Sequence, residues 1–284
     1  MKTIVHVQVA SMFLFLVAVD SAIGSTNDVV FLLKELRNQA LILKTVPTQQ
    51  QQTKLNTLSL KLAILAKSSA DNRQLIRDEL AVVMKPRDSL SSFNNEAFFA
   101  SFLMRALVKT CSTNQLLKFS EELVLTDEYR ADMKVELLRM LGYEFRAMFT
   151  AEDLKPLLSK AARLNDASVS ATAIKMLTGW TQGELTYAPI SKDEGVQALN
   201  EQVAKHPSFD SQLPFLERLA ELGEGRHLYV DRLRQNFEDN QVPVSLRHKY
   251  ATKLAEWYEF LGQELEAEMS RDISHDNAIS IKAD

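Results

Sequence analysis

Four times in the second half of the chain a Leu-rich run ends on a glycine: "ELLRMLGY" at Gly142, "AIKMLTGW" at Gly179, "RLAELGEG" at Gly223 and "WYEFLGQE" at Gly262. In each run the apolar residues fall at helical spacing, and a glycine just past a helix end supplies the left-handed conformation that closes it. The intervals are 37, 44 and 39 residues, and each leaves room for one further helix: "TAEDLKPLLSKAARL", "SKDEGVQALNEQVAKH" and "RHLYVDRLRQNFEDN". A two-helix unit of this size buries its apolar face only by stacking on its neighbours. The pattern predicts an all-α protein of antiparallel helical pairs stacked as a short α-solenoid, with about ten to twelve helices. The scarcity of turn formers, 8 Gly and 7 Pro in 284 residues, agrees with helices over a turn-rich β fold.

The repeats resemble HEAT and armadillo units. "LNDASVSATAIKMLTGW" is similar to the second helix of a HEAT repeat: Asp166 opens the helix, and Val169, Ala173, Ile174 and Leu177 form the face turned to the next unit. "VPVSLRHKYATKLAEWYEFLG" is a weaker copy with Pro243 in the first turn, where Pro is tolerated. The Arg often found in the second helix of such repeats is absent from the Asp166 helix. The resemblance covers about residues 126–263 and implies stacking by a HEAT-like solenoid. A tetratricopeptide reading comes second, because a 34-residue period is missed by every interval.

Before this region lie four helical patterns. Asn27 or Asp28 is placed to cap a helix through Val29, Leu32, Leu33, Leu36, Ala40 and Leu43, which Pro47 stops. The four glutamines of "PTQQQQT" read as the polar start of a second helix, since Leu55, Leu58, Leu62 and Leu65 follow at helical spacing. Asp71 or Asn72 opens a third, ended by Lys85-Pro86. Then "NEAFFASFLMRALVKT" is apolar nearly all round and leaves only Ser101, Arg105 and Lys109 as a polar line at i,i+4 spacing. Such a helix is buried on most sides, which places it at the centre of the N-terminal half.

The first 24 residues have the layout of a secretory signal peptide: Lys2, an unbroken apolar run from Met12 to Val19, and small residues in "AIG" before Ser25. The expectation is cleavage after Gly24 and export to a periplasm or to the outside. A stable membrane span after cleavage is not expected. His6, Gln8, Ser11 and Asp20 interrupt the segment, which falls short of the roughly 20 apolar residues a span needs. The organisation is then 1–24 signal peptide, 25–125 N-terminal helical region, 126–263 repeat region with a long loop at 181–195, and 264–284 polar C-terminal tail.

Chemistry is hard to find. The single cysteine, Cys111, forms no internal disulfide and reads as a half-buried thiol near a helix end. His206 stands at a helix end where it would meet terminal carbonyls, while His227 and His248 read as solvated. His275 with Asp272 and Asp276 is a loose cluster in the polar tail. There is no H-E-x-x-H helix, nucleophile elbow, phosphate loop or EF-hand run. No catalytic residue, cofactor site or metal site is assigned. The net charge of −4, with both signs interspersed, gives no phosphate-tracking surface, so nucleic acid is not expected as a partner.

These observations point to an exported, non-catalytic helical-repeat protein that binds another protein or peptide on its stacked helices. The residues proposed for contact are Trp180, Tyr187, Arg226, Arg232 and Arg234, because Trp, Tyr and Arg dominate interface energetics. "TQGELTYAPISKDEG", a loop or brief extended piece, is the expected place for a site. Two alternatives remain open at this stage. One is a helical-array enzyme acting outside the cytoplasm; the other is a carrier of an apolar ligand around Phe98, Phe99 and Phe102.

Overall fold

The computed structural model describes residues 25–41, 47–86, 93–145, 147–182 and 185–280. The signal peptide proposed for residues 1–24 lies outside the described residues. Among them are twelve α-helices and one small hairpin, so the chain is all-α in class.

Most helix starts are dictated by short polar side chains. α1 (Thr26–Leu41) begins at Ser25, whose N–H and hydroxyl both reach the Asp28 carboxylate. Asn27 and Asp28 are therefore not the cap, because Ser25 with an acid three residues on satisfies one more orphan N–H. α2 (Gln49–Ser68) is opened by a reciprocal capping box between Thr48 and Gln51, so the glutamine tract is a helix start as the sequence indicates. α3 (Ala70–Met84) is capped by Ser69, two residues ahead of Asp71 and three ahead of Asn72. Asn72 instead turns inward and donates to the Leu65 carbonyl at 3.0 Å. α4 (Phe93–Val108) follows, then α5 (Thr113–Leu125) with a Ser112–Gln115 box and α6 (Ala131–Arg139). A π turn at Met140–Glu144 extends α6. α7 (Ala151–Ala161) has a Thr150–Asp153 box, and α8 (Ala167–Leu177) is capped by Asp166, which accepts from the N–H groups of Ser168 and Val169 at 3.0 Å.

Residues up to Ser191 form one compact unit and those from Lys192 form a second. In the first, each of α1, α2, α3 and α4 packs against the other three. α4 also packs on α5 and is the hub of the unit. Phe99, Phe102, Leu103, Met104, Ala106 and Leu107 have no exposed surface. Burying each Phe or Leu stabilises by about 1.5–3 kcal/mol relative to exposure, so this helix fixes the unit. Beyond it, α5 packs on α6 and α7, α6 on α8, and α7 on α8. The pairs α5–α6 and α7–α8 thus stack first helix on first and second on second. Val169, Ala173, Ile174 and Leu177 of α8 are all buried, as the stacking face requires.

The segment after α8 is a hairpin, β1 (Trp180–Gln182) and β2 (Leu185–Tyr187), antiparallel with Trp180 opposite Tyr187. The second unit contains α9 (Lys192–Lys205), α10 (Phe209–Glu221), α11 (Arg226–Glu238) and α12 (Val244–Ser280), packed in chain order.

The four glycine marks divide two and two. Gly179 and Gly223 take positive φ of 102° and 88° past the ends of α8 and α10, as helix-closing glycines do. Gly142 instead lies buried inside the π turn, where the Phe145 N–H reaches back to the Met140 carbonyl at 2.9 Å. Gly262 is inside α12, which continues to Ser280 through the segment foreseen as a tail. "QELEAEM" after it consists of strong helix formers, and one internal glycine costs only about 1 kcal/mol, too little to end the helix.

Candidate functional site

The polar line of the buried central helix leads to an opening. Ser101 is buried and donates to the Phe98 carbonyl at 2.9 Å, so its hydroxyl is spent within the helix. One turn on, Arg105 emerges into a groove of about 610 Å³ between α4 and α2, and Lys109 stands beside it at the helix end. Across from them the α2 wall presents Thr53, Asn56 and Thr57. Phe145, placed by the π turn, lines the same groove. The π turn that ends α6 also carries Glu144 towards Arg105.

Arg105 organises the groove. Its Nη1 donates to Asn56 Oδ1 at 3.2 Å and its Nη2 to Glu144 Oε2 at 3.3 Å, while the guanidinium lies 5.0 Å from the Phe102 ring centre. The hydroxyls of Thr53 and Thr57 donate to the carbonyls of Gln49 and Thr53, each at 2.8 Å. Sequence reasoning singled out the Ser101, Arg105, Lys109 line but read it only as a mark of burial. That same line was the available signal for the groove, since polar residues on an otherwise buried helix require somewhere to go.

The five residues proposed for partner contact fall in two places. Trp180 and Tyr187 are paired in the backbone register of the hairpin, and their side chains lie outside the described residues. Arg226, Arg232 and Arg234 are all on α11 but point to different tasks. Arg226 donates through Nε to the Ala220 carbonyl at 3.1 Å and so closes the end of α10. Arg232 donates to Gln212 Oε1 at 3.0 Å and borders a groove of about 320 Å³ with Val196, Leu216, Leu219 and Leu228. Arg234 is exposed and donates to the Tyr258 hydroxyl of α12 at 2.8 Å. Tyr258 and Phe237, which sequence reasoning did not select, are 47% and 42% exposed. Phe237 stands three residues after Arg234, on the same side of α11.

Other features single themselves out by their surroundings. Buried Tyr229 packs edge to face on Trp257, and Trp257 stacks on Phe260. Burial, with Glu217, Glu221 and Glu256 adding to it, pushes the Tyr229 phenol far above its usual range, so it stays neutral. Glu96, only 2% exposed, holds Arg130 at 2.5 Å, and Arg130 also grips Asp132 at 2.6 Å. The Asp132 hydrogen bond is the largest of the influences that raise the Arg130 guanidinium. This cluster ties the start of α4 to that of α6, and the Arg130 N–H bonds the Met84 carbonyl at 3.0 Å. Cys111 is buried just past α4, with Arg77 Nη2 3.7 Å from its sulfur. His206 does not meet terminal carbonyls through its ring; it stacks on Phe215 at 5.1 Å. Phe99 and Phe102 are fully buried and Phe98 half-buried, with the Phe98 and Phe102 rings edge to face at 4.9 Å. The side chains of Asp272, His275 and Asp276 lie outside the described residues. Among the described residues, no three His, Cys, Asp or Glu side chains converge as a metal site, and no helix is long and apolar enough to cross a membrane.

No protein family, curated protein or solved structure matches the chain.

Proposed function

We propose that this is an exported, non-catalytic helical protein that captures another protein or peptide, with the α11–α12 surface around Arg234 and Tyr258 as its contact face. The observation that carries the reading is the Arg234–Tyr258 hydrogen bond at 2.8 Å between two exposed side chains. Arg and Tyr are the residue types that concentrate binding energy, and a bond between them in the free protein reduces the ordering cost of association. Phe237 adds exposed aromatic surface on the same side of α11. Export is supported by the signal layout of residues 1–24 and by its register: Ser25, the first residue after the proposed cleavage, is the cap of α1. HEAT-like stacking is supported by the order in which α5–α6 and α7–α8 pack.

The test is recovery of the partner with the tagged protein from the compartment into which it is exported. Amino-terminal sequencing of the same sample should begin at Ser25. An Arg234→Ala/Tyr258→Ala double variant keeps its circular dichroism and loses the partner, since hot-spot truncations cost about 2 kcal/mol or more each. Undiminished recovery by that variant would show the contact face to be elsewhere, and a monomer that recovers nothing would end the binding reading.

A further inference from the structure

The groove between α2 and α4 lies in the first unit, away in sequence from the α11–α12 surface, and its chemistry is legible bond by bond. Arg105 donates to Asn56 Oδ1, which leaves the Asn56 amide nitrogen available as a donor. Glu144 is taken by Arg105. Lys109 is exposed and has three donor hydrogens, with no hydrogen bond or ion pair to another described residue. The groove therefore presents two exposed donors bonded to no acceptor among the described residues, and Arg105 and Lys109 together exceed the charge of the neighbouring Glu144 by one. Leu60, Val108 and Phe145 supply the apolar part of the same lining. Its volume, about 610 Å³, falls among those of ligand clefts, roughly 300–1,000 Å³.

Charge complementarity selects the occupant. A phosphate polymer would require a run of cations, whereas this groove offers one free lysine beside an arginine already paired. A small free carboxylate would leave the apolar part wet. A peptide that alternates acidic and apolar side chains satisfies both. We propose that the α2–α4 groove binds an acidic, extended segment of a partner protein, its carboxylate on Lys109 and the Asn56 amide and its apolar side chain on Leu60, Val108 and Phe145.

The probe is a fluorescein-labelled, end-blocked octapeptide of alternating glutamate and leucine, followed by anisotropy on the purified protein. The glutamate peptide should bind about tenfold more tightly than its lysine counterpart, and Lys109→Glu should weaken it by about tenfold or more. Lys109→Arg, which keeps the charge at an exposed position, should hold affinity within about twofold. Raising sodium chloride from about 0.05 to 0.5 M should weaken the complex several-fold, and millimolar free glutamate should not displace it. Equal affinity for Lys109→Glu, equal binding of the lysine peptide, no binding of either, or displacement by single-stranded DNA at lower concentration than by unlabelled peptide would each overturn the proposal. Lys109 and Arg234 lie in different units, so this outcome and that of the partner recovery are read separately.

Discussion

The first four helices and the last four solve the same burial problem in opposite ways. In α1–α4 every helix touches the other three, and the shared interior is filled by Leu36, Leu62, Phe99, Phe102 and Leu103, all without exposed surface. In α9–α12 the helices pack in chain order, and the fully buried large side chains include Phe215 and Tyr229. There contacts at the edges add to a smaller interior. Lys249 reaches Asp210 at 2.6 Å, Lys253 reaches Glu217 at 3.0 Å, and Phe209 meets Tyr250 edge to face. Leu228, Phe237, Val244 and Tyr258 remain exposed in this second group, as Val30, Phe31 and Val82 do in the first. A helix surrounded on all sides, as α4 is, spends its apolar residues on its neighbours, whereas helices at the outside of either group keep some of theirs exposed.

The sharpest way to break the comparison is to hollow the bundle. Phe102→Ala removes a ring that is fully buried and in contact with Phe98 and Arg105, and it should destabilise the first unit by about 3–5 kcal/mol. The urea transition followed by circular dichroism measures it. Trp257 belongs to the second unit, so its fluorescence in a Trp180→Phe background should report a transition that moves far less. A loss below about 1 kcal/mol would mean that the site collapses around the deletion and that α4 is not the hub its burial indicates.

The glycine marks give the next effect, with two signs. Gly223 sits at φ +88°, where its missing Cβ would have its nearest neighbour, Lys192 Nζ, at 4.0 Å. The penalty for Gly223→Ala is then backbone strain alone, about 1–2 kcal/mol. At Gly262, inside α12 with nothing within 4 Å of a built Cβ, Ala should stabilise by about 0.5–1 kcal/mol. Thermal melting of the two variants side by side checks both. A stabilised Gly223→Ala or a destabilised Gly262→Ala would contradict the backbone assignments.

The same pair shows what the chain discloses and what it withholds. The all-α class, the central burial of α4, the Asp166 cap and the inward face of α8 follow from periodicity and capping chemistry, which are local. The fates of Gly142 and Gly262 do not, because "MLGY" and "FLGQ" resemble a helix end until the residues that follow are weighed. Ser25 and Ser69 start their helices in place of acids and amides two to three residues later, because serine is as good a cap as either. Of the proposed contact residues, Arg226 and Arg232 are engaged within the protein, and only a folded α10 could show that. The groove required knowing that α2 lies opposite Arg105, a pairing of residues 49 positions apart in the chain.

The smallest effect concerns the edge fastening of α12. Lys253 bonds Glu217 of α10 and Glu256 of its own helix, both at 3.0 Å, with its side chain about a third exposed. Burial pulls the ammonium downward, but the hydrogen bonds to the two glutamates and their charges outweigh it, so the net displacement is upward. A cation whose folded value is raised adds stability that is fully present below the unfolded value, about 10.4, and is lost as pH rises through the folded one. Lys253→Met should thus cost about 0.2–1 kcal/mol between pH 7 and pH 9, the range of exposed ion pairs. The deficit should narrow above about pH 10.5 and again when salt is raised from about 0.1 to 1 M, where the screening length falls to about 3 Å. A deficit that persists unchanged at both extremes would show that the aliphatic stem of Lys253 packs α12 and that its charge does not, which would bring the last four helices closer in kind to the first four.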